Sequence, residues 1–348
     1  MASVFGPRMT TARTTDGRPL GVFYAEAPDG SELPVIDVTN PAFALPYDET
    51  QMKKRVALFV RAERLRAKIP QPIQRAVLRL AARRSRLARA LYHASEGVIG
   101  GMTLYLGKLG PRMLGSGYST AIDRQLAAAA PSWLARLRLE DMVRLLAEGL
   151  APVLAAHPGR PLHFFNIAGG PAADSWNALL VLRSEAVELL RGRVIAIHVL
   201  DLDEEGPAFG ARAVAALRGD EGPLRDLDLR FERVAYDWQN ADRLRSLLDA
   251  TVAAEAVVAV SSEGGLFEYG SDGEIVANLE AMRGGAPADC IVVGSVTRAE
   301  GPPEFLREFT VRPRTLTAFR DLATRAGWSL ARVIERPLAY DVRLSRMP

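Results

Sequence analysis

Five apolar runs in the second half of the chain each end in groups that bind ligands or move protons. The runs are Leu162–Ile167, Val194–Leu200, Leu229–Ala235, Ala256–Val260 and Cys290–Val296. After the first comes Asn166-Ile-Ala-Gly-Gly-Pro-Ala-Ala173, after the second Asp201-Leu-Asp203, and after the third Tyr236-Asp-Trp-Gln-Asn240. The fourth leads into Ser261-Ser-Glu-Gly-Gly-Leu-Phe-Glu-Tyr269 and the fifth into Gly294-Ser-Val-Thr297. A single carboxylate or carboxamide at such a place is usually a helix cap or turn residue. Four of five strand ends carrying one is a different matter, because open parallel sheets bind ligands at their carboxyl edge, where strand order reverses.

The turn after the first run is the sharpest of these signals. Ala168-Gly169-Gly170 has almost no side chain, and Pro171 suits the first turn of a helix. Such a turn either only permits unusual backbone angles or lets a ligand approach the main chain. A nicotinamide dinucleotide requires G-x-G-x-x-G with an acid roughly 20 residues on. Here those positions are Ala168, Gly170 and Ala173, the acid lies well beyond that distance, and Pro171 removes a donor where pyrophosphate needs one.

From about residue 118 to 348 the chain resembles the class I S-adenosylmethionine-dependent methyltransferases. The family's acidic-x-Gly-x-Gly-x-Gly run appears here as Asn166-x-Ala168-x-Gly170-x-Ala172. The resemblance implies that Asn166, Ala168, Gly169, Gly170 and Ser261 line the cofactor. It further implies that Asp201, with Asp203 second, holds the ribose hydroxyls, that Asp237 meets the adenine amino group and that Trp238 covers its face. Upstream, Gly115-Ser-Gly-Tyr-Ser119 stands where these enzymes place a cofactor lid, giving Tyr118 the methionine moiety and Arg124 its carboxylate. Trp176 and Phe267 are read either as core or as rings beside the sulfonium. Methyl transfer needs in-line positioning and exclusion of water, and a base only where the acceptor loses a proton. Glu263 is the first candidate base, with Glu268 and Tyr269 after it. His163 and His198 read as core residues.

The implied fold is α/β: a Rossmann-like, doubly wound, mostly parallel seven-stranded sheet with an antiparallel C-terminal strand, plus an N-terminal helical cap. Alternating strand-like and helical stretches after Leu162 predict the parallel part, and Ser329–Glu335 with Ala339–Leu344 predict the antiparallel end. The boundaries fall into an arm with short strands over 1–50, a helical cap or lid over 51–156, and the cofactor-binding domain over 157–348. Within the cap, Pro70 and Pro72 divide two helices, and Pro131 separates Ala121–Ala129 from Leu139–Ala156.

Bulk properties narrow the function. The single cysteine, Cys290, rules out an internal disulfide and fits a cytoplasmic setting. No secretory signal and no run of about 18 uncharged apolar residues is evident, so no membrane partner is expected. Net charge is +3, yet Lys53 to Arg89 holds thirteen basic residues and one acid, Glu63. That stretch reads as a solvated helix face; it lacks the interleaved aromatics of nucleic-acid binding, and the Asn/Asp-Pro-Pro-Tyr/Phe run of nucleic-acid amino-methylating enzymes is absent. The expectation is methyl transfer from S-adenosylmethionine to a small-molecule acceptor at O, N or C, with the helices over 51–112 read either as a cap over the acceptor site or as the face of a homodimer. The rivals are another use of the same cofactor, such as cyclisation or aminocarboxypropyl transfer, a non-catalytic ligand-binding protein, and an RNA-associated methyltransferase.

Overall fold

Proline and glycine set the element boundaries in the first half of the chain. The Pro28-Asp29-Gly30 turn folds β1 (Tyr24–Glu26) back onto β2 (Glu32–Pro34). α1 (Glu49–Arg66) stops before Pro70, and α2 (Gln71–Ala82) holds Pro72 in its first turn. A third helix, α3 (Arg86–Ala94), follows, then α4 (Gly101–Leu109) and α5 (Ala121–Ala127). α6 runs unbroken from Ala130 to Ala156. Two helices are separated near Pro131, as expected, but the second starts at Ala130 and not Leu139, with Pro131 in its first turn, where no backbone donor is lost. The computed structural model describes residues 18–45, 49–94, 100–115, 117–118, 120–300 and 310–348. Ser116 and Ser119 of the lid-like run and residues 1–17 and 46–48 of the first arm lie outside these.

From β3 (Leu162–Ile167) onward, strands and helices alternate. α7 (Ala173–Ala186) leads to β4 (Val194–Leu200), α8 (Glu205–Arg218) to β5 (Asp228–Val234), and α9 (Ala241–Ala253) to β6 (Val257–Ser262). The short α10 (Leu266–Tyr269) and α11 (Asp272–Gly285) precede β7 (Ile291–Thr297). α12 (Leu316–Arg325), β8 (Trp328–Glu335) and β9 (Ala339–Arg346) close the chain. The sheet order is β5-β4-β3-β6-β7-β9-β8. The first five strands are parallel, and β9 pairs antiparallel with both β7 and β8. Strand order reverses at β3, so the crevice between the carboxyl ends of β3 and β6 is the place where this architecture binds ligands.

Helices cover both faces. α6, α7 and α8 bury one face around Leu139, Leu146, Leu179 and Phe209. α9, α11 and α12 bury the other around Leu244, Leu279 and Phe319. The expected boundary at 156 does not interrupt the core, since Tyr105 of α4 and Leu146 of α6 share a cluster with Phe164 of β3. The N-terminal arm is tied to the same face. Trp176 Nε1 donates to the Ile36 carbonyl at 2.9 Å, and the Tyr105 hydroxyl bridges Pro34 O and Ile36 N. Trp176 is thus core, fully buried, which contributes on the order of 2–3 kcal/mol for a ring of its size.

Candidate functional site

β3 delivers Asn166 to the carboxyl edge, where its side chain is fully buried. Its Oδ1 accepts from Gly169 N at 3.0 Å, and its Nδ2 donates to Asp174 Oδ1 at 2.7 Å and to Ser261 Oγ at 3.2 Å. One carboxamide thereby joins the turn, the start of α7 and the end of β6. A carboxylate at 166 would lack the N–H donors that the amide gives to both Asp174 and Ser261. The turn alternates into the left-handed region at Ala168 (φ 52°), Gly170 (φ 59°) and Ala172 (φ 59°). An alanine there costs about 1–2 kcal/mol, so the surrounding contacts must hold it.

Those contacts are backbone packing from three sides. A Cβ on Gly101, the first residue of α4, would stand 2.5 Å from Gly170 Cα. One on Gly206, in the first turn of α8, would stand 2.8 Å from the same atom. Over the first turn position, a Cβ on Gly265 would meet Ala168 Cβ at 2.8 Å. The turn is sandwiched between helix starts, so glycine is required there by close approach.

The acids at the neighbouring strand ends are arranged around this turn. Asp201 is half-buried; its Oδ2 accepts from Gly170 N at 3.3 Å and its Oδ1 from Asp203 N at 2.9 Å. Burial raises its carboxyl above the usual range. The Asp203 carboxylate instead caps α8, accepting from Glu205 N and Gly206 N, each at 3.2 Å. Asp237 is exposed and accepts from Gln239 N at 3.0 Å; Trp238 is half-buried, with its carbonyl bonded by Asn278. Asp201, Asp237 and Trp238 are therefore brought to one edge beside the turn. Tyr118 and Arg124 are placed differently. The buried Tyr118 hydroxyl donates to Asp29 in the β1–β2 turn at 3.1 Å, with the Arg86 guanidinium over its ring, and burial pushes it up to about 12. Arg124 is exposed on α5.

Beyond the end of β6 lies a buried ion cluster that sequence reasoning missed in part. Lys108 of α4 pairs with Glu263 at 2.7 Å, and Arg138 of α6 pairs with Glu268 at 2.7 Å while its Nε stands 3.5 Å from Glu263. Thr297 also donates to Glu268 at 2.8 Å. Burial alone would lower Arg138, and the Glu268 and Glu263 charges reverse that. The candidate base Glu263 is thus buried between two cations, and Glu268 is buried with one cation, Arg138, and the Thr297 hydroxyl. Tyr269 is buried beside them. Asp174 is pushed up to about 6, first by burial and then by the charge of Glu263. Lys108 and Arg138 carried no signal in the sequence: Lys108 sits in a glycine-rich apolar segment and Arg138 among other arginines. Phe267 is core, packed edge-on against Phe319. His163 and His198 bond each other across β3 and β4 at 2.9 Å, but both are half-buried and not core as expected, and His198 also meets the exposed Glu232.

The edge was tested against S-adenosylmethionine. Asp201, Asp237 and Trp238 suit the diol, amine and flat face of an adenosine. The methionine end has no space: α4 crosses the β3–β6 crevice, from Gly101 on the turn, past Leu104 beside Gly264, to Lys108 on Glu263. Two cavities, of about 750 and 360 Å³, open elsewhere; neither is lined by the turn, Asp201 or Asp237. The cofactor fits this edge only with α4 displaced.

The strand order, the reversal at β3 and the antiparallel β9 decide the architecture. The chain has the class I methyltransferase fold. No family model matches it, and no curated protein matches it. Among solved structures, a possible exported protein from Bordetella parapertussis is 18% identical, with a TM-score of 0.50 over 87% of this chain and 100% of that one. LepI in complex with SAM is 14% identical with a TM-score of 0.38, and the alignment covers 58% of this chain and 46% of LepI. Magnesium protoporphyrin IX methyltransferase from Synechocystis PCC 6803 with bound SAH is 12% identical, with a TM-score of 0.37 over 61% of this chain and 86% of that one. The chain spans about half the length of LepI. At these identities the likeness is one of fold.

Proposed function

We propose that the protein is an S-adenosylmethionine-dependent methyltransferase of a small-molecule acceptor, closed in the described form by α4. The observation that carries this reading is the edge itself: a turn alternating into left-handed angles, Asp201 bonded to Gly170 N, and Asp237 with Trp238 at the next strand end. When bound, the cofactor supplies an activated methyl group. In this chain Asp201 would hold the ribose hydroxyls, with Asp237 and Trp238 at the adenine. Glu263 anchors α4 through Lys108 and is free to accept a proton only when Lys108 withdraws. One movement would uncover Gly170 and withdraw Lys108 from Glu263, leaving Arg138 of α6 beside it.

Calorimetry with S-adenosylhomocysteine tests this reading, run on the parent chain and on Gly101→Val. A valine at 101 is excluded by the Gly170 backbone and so disfavours the closed form. The apparent affinity of a ligand whose site is open only part of the time is reduced by the open fraction, so the variant is expected to bind at least about tenfold more tightly. Analysis of the reaction products then separates S-adenosylhomocysteine, the mark of methyl transfer, from methylthioadenosine, the mark of aminocarboxypropyl transfer. The covered turn favours a second reading, a non-catalytic protein that keeps the fold. Absence of binding at millimolar ligand in both chains would establish that second reading.

A further inference from the structure

The basic stretch is not a plainly solvated helix face. Leu58, Leu65 and Ile69 from the α1 side and Ile73, Val77 and Leu80 of α2 are each 43–65% exposed. These are six of the twelve large apolar side chains exposed among the described residues, gathered in one short stretch. On α2 the spacing i, i+4, i+7 places Ile73, Val77 and Leu80 within an arc of about 60°. The opposite face of α2 is used, since Leu78 and Ala82 turn inward where the helix packs along α3. α1 is anchored separately, through Met52 and Val56 against Trp133 and Leu134. An apolar row is thus left uncovered, with the exposed Arg83 about 90° round from it, Arg79 farther round, and Lys68 and Arg84 at its ends.

Charge decides among occupants. A second copy would set the same thirteen basic residues against each other across the contact. Single-stranded nucleic acid would leave the apolar row idle and find few rings to stack on, because Phe59 is the only aromatic residue between Lys53 and Arg89 and is half-buried. An anionic bilayer surface uses both features: a helix with an apolar face and a Lys/Arg-rich remainder lies in the interface, its apolar side chains at the headgroup boundary and its cations on lipid phosphates. Long arginine side chains reach those phosphates while their stems stay on apolar surface. We propose that the α1–α2 pair docks this protein peripherally on an anionic lipid surface. No helix among the described residues is long and apolar enough to cross a membrane, and the docking requires none.

Co-sedimentation of the full chain with vesicles tests this, using phosphatidylcholine alone and phosphatidylcholine mixed with phosphatidylglycerol. The mixed vesicles are expected to bind at least about tenfold more tightly, with affinity falling as salt rises. Val77→Asp/Leu80→Asp and Arg79→Glu/Arg83→Glu are each expected to lose about tenfold or more. Both pairs are exposed, so an unchanged melting temperature reports an intact fold. Equal binding to neutral and mixed vesicles overturns the proposal, as does a Val77→Asp/Leu80→Asp chain that binds like the parent. A dimer abolished by that same variant, without vesicle binding, overturns it in favour of a second copy. Single-stranded RNA bound equally by parent and apolar variant, again without vesicle binding, overturns it in favour of nucleic acid.

Discussion

Five carboxylates and three cations meet behind the candidate site: Asp141, Asp174, Glu263, Glu268 and Asp341 with Lys108, Arg138 and Arg336. Arg336 holds Asp141 at 2.5 and 2.8 Å, and Asp341 is fully buried opposite Ser295 in the β7–β9 pairing. Burial, then the charge of Asp141, raises Asp341 well above the carboxylate range. With Asp341 and Asp174 protonated the cluster is neutral, three charges against three. Asp174 gives this a measurable sign. Its folded carboxyl titrates at about 6 against an ordinary value of 3.8, so the native state holds the proton to higher pH than the unfolded chain. Its stabilising contribution is present below about 4 and lost as pH rises through about 6. Relative to Asp174→Asn, the parent is expected to lose on the order of 3 kcal/mol across that window, read from denaturant midpoints at each pH. Lys108 makes the second prediction at this scale. Lys108→Ala strands a buried Glu263 and is expected to cost about 3–5 kcal/mol, whereas Lys108→Met/Glu263→Gln removes both charges and costs less than half of that.

α4 is the element on which the site depends, and it was the least legible. The strands were readable within a residue or two, because period and flanking turns are local signals. Asp201 and Asp237 followed from counting to the strand ends. The Gly97–Leu114 segment is mostly glycine and apolar residues, broken by Thr103, Lys108 and Arg112, without a clear period, and nothing in it says where it rests. Its partners, Gly170 and Glu263, are far away in sequence, and nothing local encodes such a contact. The amide at 166 was unexplained for the same reason: its meaning lies in Asp174 and Ser261. Gly101→Val tests α4 directly. Overpacking of this kind costs about 1–3 kcal/mol, and the expected result is faster amide exchange confined to α4 and the 168–172 turn, with β3 to β7 unchanged. Exchange that accelerates across the whole sheet would show that α4 is an integral layer and not a separable cover.

For the whole molecule, the two clusters on either face of one sheet predict a single cooperative unit that includes the N-terminal arm. Cys290 reports on it. The thiol is buried beside β7, and burial pushes it up to about 12. A thiol reagent at pH 8 is therefore expected to label it only as fast as the sheet opens, orders of magnitude below a free thiol. Labelling at the free-thiol rate under native conditions would mean that the β7–β9 end breathes independently of the rest.

A clash between two side chains is relieved by shrinking either one. A clash with a Cα atom has no such remedy, and at Gly101 and Gly170 each residue is excluded by the main chain of the other. No substitution at one position compensates for a substitution at its partner. In a saturation library screened for the slow amide exchange of a seated α4, both positions are expected to accept glycine alone. Second-site suppressors should map to the ends of α4, where the helix shifts as a body, and not to the facing residue. The tightest contact in the site is in this sense a constraint on how the sequence varies.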